Sequence, residues 1–313
     1  MTIRARRATM ANVRVVVLVF AAVGPGCGRV DFAPAAPDAT LTGPADAGMT
    51  GPADATAAGC GPWGAPVHLA TTSSVFTEWS PALDPSGLVL VFSSNRAQAG
   101  YDHWAATRAT VTSPFDPPVA MPALSSNGDD SGATFSGDGS TLYYYSMSSL
   151  RRADHLGAGT FASVSPVSGF PGFDFALSPD DLELFTSKGV GQDDLDVGHA
   201  TRTNPMAAWV EDSDTAALNQ VGTVEGWPVF DARTQTVYFE RDGTDGSSDL
   251  ARATRPGPGQ AFAPPEAIAE VNDAGIWYAD PTLSGDGTIM IFAADYPSGL
   301  GAHDLYQVTR SCR

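Results

Sequence analysis

Short apolar runs along this chain are punctuated by turn-forming residues in one recurring order. An apolar anchor comes first, then a turn of the Ser-x-Asp-Gly kind, then an apolar strand ending in an aromatic residue. The copies are "LDPSGLVLVF" (83–92), "FSGDGSTLYY" (135–144), "LSPDDLELF" (177–185), "FDARTQTVYF" (230–239) and "LSGDGTIMIF" (283–292). Anchor and aromatic are nine residues apart in four copies and eight in the third, and successive anchors are 42 to 53 residues apart. Asp and Ser side chains bond their own backbone and Gly supplies positive φ, so each copy predicts two short strands joined by a tight hairpin. The second strands ("LVLVFSS", "TLYYYS", "TIMIFAA") are nearly continuous in apolar and β-branched residues. A sheet with one wet face alternates, whereas a strand covered on both faces need not. The pattern therefore predicts sheets stacked on both sides by other sheets.

A third strand follows in each unit: "DHWAATR" (102–108), "LDVGHATR" (195–202), "DLARATR" (249–255) and "HDLYQVTR" (303–310), with copy two degenerate at "LRRADH". Four of these end in Thr-Arg, at Arg108, Arg202, Arg255 and Arg310, read as strand ends paired with an acidic surface. A Pro- and aromatic-containing segment comes next ("FDPPVAMPAL", "FASVSPVSGF", "AAWVEDSDTAAL", "FAPPEAIAEV"), and Pro confines such strands to edges. Four strands per unit at a period near 50 residues predict an all-β, five-bladed β-propeller of four-stranded antiparallel blades. No fourth segment follows Arg310, but "WGAPVHLATTSS" (63–74) reads like one. The N-terminal strand is thus expected to complete the last blade and remove an open sheet edge. Cys60 and Cys312 flank the two joined strands, which predicts a disulfide that staples the ring.

These units resemble the repeats of TolB-like β-propellers. That pattern runs roughly Pro-x-Phe-Ser-Pro-Asp-Gly, a strand ending Phe-x-Ser-x-Arg, a Gly-rich loop, then Asp-Leu-Tyr. "SPALDPSGLVLVFSSNRAQAGYDHW" and "DPTLSGDGTIMIFAADYPSGLGAHDLY" match it best, and the resemblance covers residues 63–313. Copies two, three and four depart in the Gly-rich loop or the Asp-Gly turn. The resemblance implies periplasmic or cell-surface proteins that bind proteins, peptidoglycan or sugars; it implies no single activity.

The N-terminus adds an address. Arg4, Arg6, Arg7 and Arg14 lie ahead of or at the start of an apolar run, Val15 to Val23, which is too short to span a bilayer. Basic region, short apolar core and small residues make a secretory signal, with Met10 as an alternative start. Its end, "VGPGC", resembles a bacterial lipoprotein signal in which Cys27 becomes the lipidated first residue. Gly26 fits that pattern; Gly24 and Pro25 stand where it prefers Leu and a small residue. Residues 1–27 are read as the signal, 28–60 as a disordered Ala/Pro/Gly/Asp tether with "TGPADA" repeated, and 61–313 as the propeller. The expected location is the cell envelope, periplasmic or outer-membrane face. Contact with the membrane is expected through the lipid anchor alone.

Charge narrows the partners. The 313-residue chain carries a formal charge of −18, which excludes nucleic acid and docking on anionic lipid. A protein or an envelope glycan is expected as the partner, a monomer as the working form, and no cofactor. Candidate binding residues stand just before the five anchors: Glu78, Asp130, Asp174, Glu225 and Asp280, each three or five residues upstream. Those two offsets share strand parity, so the acids are expected to ring one channel mouth. Trp79, Phe173, Trp227 and Tyr278 recur beside them, and aromatics with carboxylates suit a sugar or a cationic side chain. Binding without catalysis is the leading reading. The alternative is a carbohydrate-active hydrolase that uses a pair of the mouth carboxylates. There is no Gly-x-Ser-x-Gly elbow, and the five histidines form no H-x-H or H-x-x-x-H pair, so neither a serine hydrolase nor a sequence-local metal site is expected. "RDGTDGSSDL" (241–250) is spaced loosely like a calcium loop, but Gly243 stands where an oxygen ligand belongs; it is read as a hairpin loop.

Overall fold

A computed structural model describes residues 59–97, 100–191, 194–242 and 247–313. Cys27, the tether up to residue 58 and the Asp245 region of the expected hairpin loop lie outside the described residues.

Among the described residues, twenty strands form five four-stranded antiparallel sheets. β1 is Val67–His68. Blade I holds β2 (Glu78–Leu83), β3 (Val89–Ser94), β4 (Asp102–Thr107) and β5 (Val119–Ala120). Blade II holds β6 (Asp130–Phe135), β7 (Thr141–Ser146), β8 (Ser149–Gly157) and β9 (Thr160–Pro166). Blade III holds β10 (Phe173–Leu177), β11 (Glu183–Gly191), β12 (Asp194–Thr201) and β13 (Val210–Asp212). Blade IV holds β14 (Glu225–Asp231), β15 (Thr236–Asp242), β16 (Ser248–Thr254) and β17 (Glu266–Ala267). Blade V holds β18 (Tyr278–Leu283), β19 (Ile289–Ala294) and β20 (Asp304–Thr309), and β1 completes it by pairing Val67 with Gln307 and His68 with Tyr306. The disulfide forms as expected between Cys60 and Cys312, 252 residues apart in sequence.

The continuous apolar strands do sit between sheets. Leu90 and Phe92 on β3 pack against Ile289 and Ile291 of blade V, while Val89 and Val91 pack against Phe135 and Leu142 of blade II. Five core clusters result, one at each blade–blade junction. Four of the fourth strands shrink to two or three residues, and three of them, β1, β5 and β17, directly follow a proline.

The Thr-Arg ends do something the sequence reading missed. Each guanidinium lies over an aromatic of its own fourth segment: Arg108 over Phe115 at 4.3 Å, Arg202 over Trp209 at 4.2 Å, Arg255 over Phe262 at 5.1 Å and Arg310 over Trp63 at 4.3 Å. Three of the four donate from Nε to a backbone carbonyl of their own blade's hairpin, Gly87, Asp181 or Gly287. Three then reach the preceding blade: Arg108 to Gln307, Arg255 to Glu183 and Arg310 to Asp231. Arg255 and Arg310 do pair with acids, but as buried links between blades and not as surface pairs. Cation–π contact plus a desolvated pair is stronger than an exposed ion pair. That Trp63 plays the part of Phe115 also identifies residues 63–68 as the missing fourth segment.

Candidate functional site

Each first strand carries one bulge. Its register with the second strand slips between Trp79 and Ala82, Ser131 and Thr134, Phe173 and Phe175, Gly226 and Val229, and Ala279 and Thr282. Inside the slips sit Ser80, Gly132, Asp174, Trp227 and Asp280, with φ of 45°, 60°, 43°, 50° and 52°. Bulges of this kind re-aim a side chain. For the four that are not glycine, the left-handed backbone costs about 1–2 kcal/mol each. All five line one cavity of about 50 Å³, together with the residues that follow them on all five first strands. That cavity therefore lies in the central channel.

The bulge also breaks the parity on which the expected ring of five acids rested. Only Asp174 and Asp280 line the channel. Glu78, Asp130 and Glu225 stand two residues before the bulge, are fully buried, and turn to the loops that enter their strands. Glu78 accepts from the Ser74 amide at 3.0 Å, Asp130 from the Ser126 amide at 2.6 Å and Glu225 from the Gln220 amide at 3.3 Å. Tyr278 holds the same position in blade V and does the same work, its hydroxyl accepting from the Asp273 amide at 2.7 Å and donating to Val271 O at 2.9 Å. Blade III has Gly172 there, because a Cβ would lie 2.4 Å from Ser187 O. Arg96 additionally neutralises Glu78 at 2.9 Å.

The two channel carboxyls are short of positive partners. Asp280 is 7% exposed and accepts from the Ser80 amide and hydroxyl at 2.9 and 3.3 Å. Asp174 is half-buried in the channel wall. Burial pushes Asp174 up to about 7, with the Asp280 charge adding to it. Burial likewise raises Asp280 to about 6 against the lowering effect of the Ser80 hydrogen bonds. A third acid stands behind them. Glu240 on β15 is 4% exposed, accepts from Ser248 Oγ at 3.0 Å and from Trp277 Nε1 at 3.3 Å, and is raised well above the usual range by burial and then by Asp280. Among the described residues no basic side chain forms an ion pair with any of the three. Sequence reasoning passed over Glu240. Its signal was an acid directly after the apolar run of its strand, where the other blades place Ser93, Tyr145, Ser187 and Ala293 opposite the residue before the bulge.

Of the expected aromatics, Trp227 is itself a bulge residue in the channel wall. Trp79 is half-buried, stacked on His303 at 4.1 Å, with Nε1 donating to the Tyr101 hydroxyl at 3.1 Å. Trp277, absent from the expected set, faces His303 edge-on at 6.0 Å. The loops leading into the first strands and those joining second to third strands share the face where the first strands begin. That mouth face exposes Val75 (74%), Met147 (64%), Val221 (97%) and Leu300 (52%).

No family model matches the chain, and no curated protein does. Among solved structures it is similar to the catalytic domain of the GH62 α-L-arabinofuranosidase of Coprinopsis cinerea, at 12% identity and TM-score 0.51, over 80% of this chain and 97% of that one. It is similar to TolB from Acinetobacter baumannii at 17% identity and TM-score 0.42, over 72% of this chain; the match spans 53% of TolB, about half its length. The periplasmic gluconolactonase of Pseudomonas aeruginosa is a third, at 16% identity and TM-score 0.39, over 68% of this chain and 64% of that one. TolB, whose repeats these units resemble, is thus among the similar structures. At such identities the likeness is one of fold.

Proposed function

We propose that this protein is an exported binding propeller that recognises a partner protein on its mouth face, with Asp174 and Asp280 as the polar anchors beneath. The supporting observation is the composition of that face. Four exposed apolar side chains, Val75, Met147, Val221 and Leu300, surround a mouth that carries half-buried Trp79, Trp227 and Trp277. Apolar anchors around a desolvated polar centre are the anatomy of a protein interface. A net charge of −18 favours a partner of opposite charge. The Cys60–Cys312 bond supports export, since disulfides persist in oxidising compartments. Lipidation at Cys27 would then hold this monomeric disc to the envelope by its tether.

A hydrolase is the second reading, favoured by one observation: two carboxyls raised to about 7 and 6 share a cavity. Space weighs against it. Small-molecule sites run to about 300–1,000 Å³, whereas about 50 Å³ holds a water or two.

Two measurements test the proposal. In the first, soluble envelope glycans are screened by thermal shift and by release of reducing sugar; neither signal is expected. In the second, the protein bearing Val75→Asp and Val221→Asp is compared with wild type for recovery of a cross-linked envelope partner, with Met206→Asp on the opposite face as control. Loss in the first variant and retention in the control is expected. A glycan-induced shift that disappears in Asp280→Asn would replace the protein partner with a sugar. Hydrolysis that disappears in Asp174→Asn would establish the enzyme.

A further inference from the structure

The outer edge of blade III holds a cluster that the channel does not involve. His199 on β12 lies opposite Asp212 on β13, and its ring is 1% exposed. Nδ1 is 2.8 and 2.9 Å from the two oxygens of Asp212. Asp214 follows in the next turn, its amide donating to Asp212 at 3.0 Å. One donor atom from each of His199, Asp212 and Asp214 lies within 4.8 Å of the others. On the far side of the ring, Nε2 is buried without a hydrogen-bond partner and stands 4.0 Å from Glu183 Oε1. Arg255 pins that carboxylate with contacts of 2.9 and 2.6 Å.

A neutral imidazole has one N–H and one lone pair. With the proton on Nδ1, Asp212 is satisfied but the buried Nε2 lone pair faces Glu183. With the proton on Nε2, Glu183 is faced by a donor but the Nδ1 lone pair meets both Asp212 oxygens. Either neutral tautomer sets a lone pair against a carboxylate. A cation on the Nδ1 side removes the conflict. A second proton on the ring removes it too, but the second carboxylate beside Nδ1, Asp214, gives a metal ion a third ligand.

We propose that His199 Nδ1, Asp212 and Asp214 bind a divalent transition metal of the zinc class. Imidazole with carboxylates is a borderline donor set that favours such ions over calcium or magnesium, which take oxygen alone. Three protein ligands leave one position to water, and Asp212 lies at the surface, so the ion has a path in. Binding through Nδ1 places the ring N–H on Nε2, facing Glu183. That is the outer carboxylate by which metal-bound histidines are commonly oriented. The ion would tie the three-residue β13 to its blade, next to the Glu183–Arg255 link with blade IV.

The test is Zn²⁺ titration of the full, chelator-treated protein by calorimetry, with Co²⁺ absorption as the geometric readout. One ion per chain and a four-coordinate Co²⁺ spectrum are expected. Affinity should fall at least tenfold in Asp212→Asn, which removes an exposed ligand without opening the core, and in Asp214→Asn. It should be unchanged in Asp174→Asn at the channel. Absence of binding would overturn the proposal, as would affinity that survives both ligand substitutions. A binding signal lost only in Asp174→Asn would move the metal to the channel.

Discussion

At the scale of single residues, the five bulge positions carry most of what is specific to this protein. Four non-glycine side chains are held at left-handed φ around one axis, and strain of this kind persists where surrounding structure over-determines it. Asp174 and Asp280 ionise against burial and against each other. Burial pushes them up to about 7 and 6, above the ordinary aspartate value of 3.8. The folded state therefore holds more protons than the unfolded chain between roughly pH 4 and 7, and stability falls as pH rises through that window. Asp174→Asn should raise stability at pH 8 by about 1–2 kcal/mol, and the gain should vanish near pH 4. Asn also tolerates left-handed φ well. Denaturant melts at the two pH values read this directly, and an equal gain at both would refute the assignment. Gly132 gives the opposite case. Its φ is 60°, and a Cβ there would meet Asp174 Oδ1 at 2.2 Å. Gly132→Ala should cost about 1–3 kcal/mol and disturb the Asp174 titration, as followed by carboxyl NMR.

Among the elements, the blades are not equal partners. Blade II pairs its long third and fourth strands, β8 and β9, with Ala153 the one buried residue among them and the rest half-buried or exposed. The II–III junction has four buried apolar residues, Phe175, Leu177, Leu184 and Ala200, leaning on half-buried Tyr143, Leu150, Phe170 and Trp209. The IV–V junction buries thirteen. Local opening follows sparse apolar burial. Amide exchange by mass spectrometry should therefore show β8, β9 and β10 exchanging faster than β18, β19 and β20, and uniform protection across blades would contradict this. The degenerate "LRRADH" third strand foreshadowed the weakness. In blade II His155 stands in for the Thr-Arg end, stacked on Phe161 of β9 at 4.9 Å with Nδ1 2.9 Å from Gly139 O, so the weakness lies in the sparse apolar burial. The arginines themselves were visible in the sequence but their aromatic partners were not, because each pair is separated by a loop whose path only the fold sets.

For the whole molecule, ring closure is the governing event. The Cys60–Cys312 bond spans 252 residues and is worth about 5 kcal/mol in the chain-entropy model, with measured values nearer 2–4. Reduction, or Cys312→Ser, should lower Tm by roughly 4–16 °C, a shift that calorimetry at matched pH resolves; an unchanged Tm would mean that β1 and the Arg310–Trp63 stack close the ring unaided. Blade number, hairpins, shared last blade and disulfide were all determined by local sequence, because period, turn chemistry and the placement of two cysteines are properties of the chain itself. The candidate site was only half legible. Asp174, Asp280 and Trp227 were found by their place before the anchors, yet the same rule collected Glu78, Asp130 and Glu225, which brace loops. A one-residue bulge separates the two groups, and nothing in strand parity announces it. Glu240, the Arg–aromatic stacks and the His199 cluster were decided by tertiary structure alone, since each joins residues that become neighbours only when strands and blades lie side by side.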